Sequence, residues 1–173
     1  MKPGMNFTAI AMIAVLALPA ARAGEDSFVG TWNLDVQQSQ YRKDDLPREA
    51  QLRFETIAEG VHYTSRTTFQ DGAVLTAEYT ADYEGHLAMV YGTRGFLAPV
   101  SLKRIDAHTL QADYQRGLRT VASSRIVLSA DAGTLTVTTT SMTREGKSNV
   151  HLGVYRRASL ASTPTIHEAA ATT

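Results

Sequence analysis

Phe28-Val29-Gly30-Thr31-Trp32-Asn33-Leu34-Asp35 is the stretch around which the chain is organised. It carries the only Trp of the protein, two residues after a Gly, at the start of what reads as a first strand. Working outward, almost every later segment reads as another short strand. From Ala50 on, apolar and polar residues alternate with period two, which sends successive side chains to opposite faces of a sheet. Leu52, Phe54 and Thr56 alternate with Arg53 and Glu55. Val61, Tyr63, Ser65, Thr67 and Phe69 alternate with His62, Thr64, Arg66 and Thr68. The clearest run sets Leu75, Ala77, Tyr79, Ala81 and Tyr83 against Thr76, Glu78, Thr80 and Asp82.

Turn residues punctuate these runs. Gln70-Asp71-Gly72 is a hairpin signal, because Asp-Gly accepts the positive φ of tight hairpin turns. Glu84-Gly85, the stretch Gly92-Thr93-Arg94-Gly95, Asp106, Gly117, Asp131 with Gly133, and Glu145-Gly146 separate the remaining strands, which fall near His86 to Tyr91, Pro99 to Arg104, Thr109 to Gln115, Leu118 to Leu128, Leu135 to Ser141 and Asn149 to Arg156. Gln37 to Glu49 is polar, contains Pro47 and lacks helical apolar spacing, so it reads as a loop with one helical turn at most. Short strands at near-regular spacing predict an all-β barrel or sandwich.

Ahead of this region, Lys2, an apolar run from Phe7 to Leu18 and Ala21-Arg22-Ala23 have the layout of a secretory signal over residues 1–23, with cleavage before Gly24. The run is short for a membrane span, so the mature chain is expected to have no stable membrane insertion. Residues 24–157 form the expected domain, and 158–173, small and polar, read as a disordered tail. Without Cys, the chain has no thiol catalysis, thiolate metal site or disulfide, and an exported protein of that kind suits a bacterial periplasm or secretion. Discounting Lys2 and Arg22 from 17 basic residues leaves 15 against 17 acidic, a net charge of −2, which offers nucleic acid no footprint.

The pattern Phe28-x-Gly30-Thr31-Trp32-x-Leu34-Asp35-x-x-x-Ser39-x-Tyr41 resembles the first strand of the calycin superfamily, and within it small exported bacterial proteins of lipocalin-like type. The resemblance implies an antiparallel up-and-down β-barrel of about eight to ten strands. It also implies that the Trp closes one end of that barrel under an Arg from the last strand. Arg156 and Arg157 are the candidates, and Gly30, Trp32 and Arg156 are taken as the closure set. Fatty-acid-binding members of the superfamily carry Arg-x-Tyr on the last strand to grip a carboxylate; here that spacing reads Gly153-Val154-Tyr155. The fold therefore carries over and the fatty-acid specificity does not.

No motif proposes a reaction. His62, His86, His108, His151 and His167 lack metal-ligand spacing and read as turn, surface or tail residues, so no metal, cofactor or catalytic group is assigned. The aromatic set is more suggestive. Tyr63, Phe69, Tyr79 and Tyr83 share the apolar phase of neighbouring strands and Tyr114 joins them, which suits a cavity for a small, largely apolar ligand. The alternative is that these rings fill the core, since a barrel of about eight strands can be packed by side chains alone. The first reading makes the protein a carrier or sensor. The second makes it a protein-interaction or inhibitor module of the cell envelope, binding through its rim and the Gly92 to Gly95 loop.

Overall fold

The computed structural model describes residues 26–159 apart from Arg94, Arg144 and Glu145. The expected signal and nearly all of the expected tail lie outside these residues. The strands are β1 (Gly30–Leu34), β2 (Pro47–Ile57), β3 (Gly60–Phe69), β4 (Val74–Ala81), β5 (Glu84–Ala88), β6 (Tyr91–Gly92), β7 (Gly95–Phe96), β8 (Val100–Asp106), β9 (Thr109–Arg116), β10 (Arg119–Leu128), β11 (Thr134–Met142) and β12 (Ser148–Arg157). Among the described residues the only helical element is a 3-10 turn at Lys43–Asp45, in the segment read as a loop with a helical turn. No helix among them is long and apolar enough to cross a membrane. β2 begins at Pro47, earlier than the expected loop boundary after Glu49.

All strands belong to one curled antiparallel sheet, in the order β5-β8-β9-β10-β11-β12-β1-β2-β3-β4-β6-β7. Most neighbours in the sheet are neighbours in sequence, and β1 pairs with β12, so the path is up-and-down. Twelve strands exceed the eight to ten expected. The physical reason is local interruption: β5 and β6 are parted only by Met89 and Val90, and β7 and β8 by Leu97, Ala98 and Pro99, where proline has no N–H for a ladder. The chain joining β5 to β6 also brings the two ends of the sheet together. β5 pairs with β8 at one end, while β6 pairs with β4 at the other through Ala77–Gly92 and Glu78–Tyr91. That second contact needs Gly92, because a Cβ there would stand 2.1 Å from the Thr76 carbonyl oxygen.

The hairpin expected at Asp71-Gly72 joins β3 to β4, with Gly72 N–H donating to the Phe69 carbonyl at 3.1 Å. The alternation selects the inner face as expected: Leu52, Phe54, Val61, Tyr79, Ala81, Leu110 and Ala112 are buried, and their neighbours in sequence largely face out. Trp32, Phe28, Phe54, Val61, Val100, Leu102, Leu110 and Leu135 are all fully buried and belong to one apolar cluster.

Candidate functional site

At the closed end, the sequence motif is explained by three contacts. Trp32 is fully buried, and its indole N–H donates to the Phe28 carbonyl at 3.0 Å. The guanidinium carbon of Arg157 lies 4.1 Å from the centre of the indole ring. Arg157 also donates to the carbonyls of Ala132, Val29 and Ser27 at 2.9, 2.6 and 2.6 Å, tying the last strand to the lead-in of the first. Gly30 makes room for it: a Cβ there would sit 2.7 Å from an Arg157 nitrogen. The assignment of Arg156 to this role is corrected. Pairing places Arg157 opposite Trp32, so strand alternation sends Arg156 to the outer face. There it meets Asp35 at 3.6 Å, Thr134 at 2.8 Å and Gln38 at 3.0 Å.

A second polar cluster lies at the same end. Asp26 accepts from Arg104 at 2.7 Å and from the hydroxyl of Tyr83, and Arg104 stacks 4.0 Å from the Tyr83 ring centre. Burial, then the Asp26 carboxylate, raise the Tyr83 phenol well above its ordinary value. Tyr83 is thus engaged at the Trp32 end, and the structure does not bring it together with the other aromatic candidates. A broad cleft here, of about 1000 Å³, is bordered by Asp82, His86 and Glu59. It is open and outside the barrel, and Asp26, Tyr83 and Arg104 already satisfy one another there, so it is not taken as the ligand site.

The interior changes character toward the other end. Cross-strand register aligns Phe54, Tyr63 and Tyr79 on adjacent strands. Their rings form a ladder: Phe28 to Phe54 at 6.4 Å, Phe54 edge-on to Tyr63 at 5.1 Å, and Tyr63 stacked on Tyr79 at 4.7 Å. Across from them lies Tyr114, partly buried against the core, and the Ser124 hydroxyl shares a 2.8 Å hydrogen bond with Thr139. Beyond these rings the barrel opens into a mouth cavity of about 260 Å³, lined by Tyr41, Ala50, Thr67, Phe69, His151 and Tyr155 among others.

Of the five predicted ligand residues, then, Tyr63, Tyr79 and Tyr114 lie in the interior, Phe69 lines the mouth, and Tyr83 stands apart. Three residues lining the mouth, His151, Tyr155 and Tyr41, were not among those five. His151, read as a surface residue, is instead largely covered, with its ring centre 5.3 Å from that of Tyr41, its Nε2 2.8 Å from the Asn149 amide nitrogen and its Nδ1 buried without a hydrogen-bond partner. The available signal was its phase: His151, Gly153 and Tyr155 alternate along β12. Tyr41 could not be found that way, because it arrives from an irregular segment held to β12 by reciprocal backbone hydrogen bonds between Gln40 and Leu152.

Burial raises the phenols of Tyr63, Tyr79, Tyr114 and Tyr155 above the ordinary value. In the unfolded chain these phenols ionise near pH 10, whereas in the folded protein they stay protonated. Above that point the unfolded state binds fewer protons, so folding stability is full below about pH 10 and falls as pH rises further. Ultraviolet titration should show a delayed tyrosinate fraction in native protein that appears only with alkaline unfolding. A single ordinary titration of all seven tyrosines would contradict the buried band.

No protein-family model matches the chain, and no curated protein matches it. Among solved structures, zebrafish ileal bile acid-binding protein in complex with cholic acid aligns with a TM-score of 0.51 at 12% identity, covering 76% of this chain and 99% of that one. The likeness is one of fold. It supports the all-β, antiparallel up-and-down architecture expected from the strand alternation.

Proposed function

We propose that this protein is an exported, lipocalin-like carrier or sensor that holds a small, largely apolar ligand in the mouth half of its barrel. The observation that carries this reading is the contrast between the two ends. Around Trp32 the interior is closed by fully buried apolar side chains. At the other end lies a cavity of about 260 Å³ bordered by Tyr41, Asp45, Pro47, Phe69, His151 and Tyr155. A pocket that is mainly apolar with a few fixed polar groups is the usual form of a small-molecule site. The solved structure of similar fold is itself a complex with a bile acid, which fits the same reading. Export rests on the leader-like residues 1–23.

Native mass spectrometry of protein purified from its own host tests both parts. The expected result is a mature mass beginning at or near Gly24 together with a retained small molecule. A full-length mass in the membrane fraction overturns export.

A second reading, a protein-interaction module, is favoured by Leu87 of β5, Met89 between β5 and β6, and Tyr91 of β6, which are each more than half exposed. Co-purification of a protein in place of a small molecule would favour it.

A further inference from the structure

We infer that the β9–β10 hairpin at the mouth end is a contact for an anionic phospholipid surface, with Leu118 entering the headgroup layer between Arg116 and Arg119. This goes beyond the ligand reading and does not rest on it.

β9 and β10 run from the Trp32 end, where Leu110 pairs with Ile126, to the mouth end, where Arg116 pairs with Arg119. Gly117 and Leu118 make the two-residue connection, and Gly117, at φ +60°, supplies the positive φ that such a turn needs. The turn demands nothing apolar at its second position, where polar residues are usual. Leu118 stands there all the same, at 103% exposure, and a Cβ on Gly117 would touch nothing within 4 Å. The tip therefore projects clear of the barrel, with every residue from Arg116 to Thr120 exposed.

A single exposed leucine needs no explanation by itself. Its neighbours give this one a use. Arg116 and Arg119 face each other directly across the ladder, and like charges so placed destabilise a sheet. Neither guanidinium has a hydrogen-bond or ion-pair partner among the described residues. Asp113, the one carboxylate of β9, is taken up by Ser123 and Gln111 at 2.6 and 2.9 Å. The fold thus gains nothing from the leucine or from the two arginines. A layer of lipid phosphates suits all three, since each guanidinium can grip a phosphate in bidentate fashion while the leucine leaves water.

The adjoining β11–β12 hairpin continues this chemistry. β10 pairs with β11 through Ala122 and Ser141, which sets the two tips side by side. Met142, at the end of β11, is 56% exposed, and Lys147 stands in the connection to β12. Arg144 and Glu145 of that connection cancel in charge. Asp44, Asp45 and Asp71 belong instead to the 3-10 turn and the β3–β4 hairpin, several strands away in the sheet. The rim is therefore polarised, and the net charge of the chain conceals a basic side whose contact with lipid brings the mouth beside the bilayer.

The test is sedimentation with vesicles of phosphatidylcholine alone or with about one third phosphatidylglycerol, using the processed chain recovered after export. Every variant carries the N-terminus of the wild type, so the comparison isolates the hairpin. Binding is expected to the mixed vesicles at about 0.1 M salt and should fall several-fold at about 0.5 M, where the charges are screened. Leu118→Ser should weaken it by roughly tenfold, and Arg116→Gln combined with Arg119→Gln by roughly 20-fold. These substitutions remove exposed groups without partners, so the urea midpoint should not fall. Leu87→Ser combined with Met89→Ser, which removes the other exposed apolar side chains, should leave vesicle binding unchanged. No binding to the mixed vesicles, or binding that survives the hairpin variants, overturns the inference; so does loss in the Leu87 and Met89 variant alone. Any of these leaves the ligand reading standing, because a retained small molecule is read separately by mass.

Discussion

Trp32→Ala is expected to destabilise the protein by about 3–5 kcal/mol, the range for truncating a large, fully buried aromatic. The loss has three parts. The indole volume leaves a cavity against neighbours, among them Phe28, Phe54 and Leu135, that are themselves fully buried. The Phe28 carbonyl loses its 3.0 Å donor, and Arg157 loses the ring beneath its guanidinium. Urea unfolding followed by circular dichroism measures the change, and a variant as stable as wild type would show that this end is not what holds the barrel shut. The same measurement separates the two arginines of the last strand. Arg157→Ala should cost about 1–2 kcal/mol through the lost cation–π and carbonyl contacts, and Arg156→Ala, whose partners are exposed, less than about 0.5 kcal/mol. The wild-type tryptophan emission should be blue-shifted and move red on unfolding or in Arg157→Ala.

The second large effect concerns binding. Ala77→Trp is expected to reduce binding of a neutral apolar dye by well over ~10-fold, while the far-ultraviolet spectrum of the fold is retained. Ala77 lies on the inner phase of β4 opposite Ser65 of β3, two residues on the mouth side of Tyr79, and is only partly buried. An indole there points into the space above the Tyr63–Tyr79 stack. Ala81→Trp provides the contrast. Ala81 is 5% exposed and faces Val61, which is fully buried at the closed end. A large ring there has nowhere to go and should cost about 1–3 kcal/mol through overpacking. If Ala77→Trp also unfolds the protein and the wild type binds no dye, the interior is a filled core, and the interaction-module reading takes its place.

The difference between these two alanines was not visible in sequence. Both share one phase with Leu75, Tyr79 and Tyr83, and period two assigns all five to the same face without saying what stands across from them. The opposite wall is decided by closure of the sheet, which depends on pairs as distant as Trp32 with Arg157 and Ala77 with Gly92. For the same reason Tyr83 was grouped with Tyr63 and Tyr79. Its side chain meets Asp26 and Arg104 only because the lead-in and β8 converge at the closed end.

What the sequence determined by itself were properties carried by local chemistry: strand phase from apolar alternation, the Asp71-Gly72 hairpin from backbone freedom, the near absence of helix among the described residues from missing 3.6-residue spacing, and the burial of Trp32 from a first-strand pattern. What only the tertiary structure decided were properties set by register and closure. A one-residue difference in pairing gave the tryptophan to Arg157 and sent Arg156 to the outer face. The docking of an irregular segment brought Tyr41 beside His151 and Tyr155 to form the mouth. Alternation fixes which way a side chain points; what it meets depends on strands brought beside it from elsewhere in the chain.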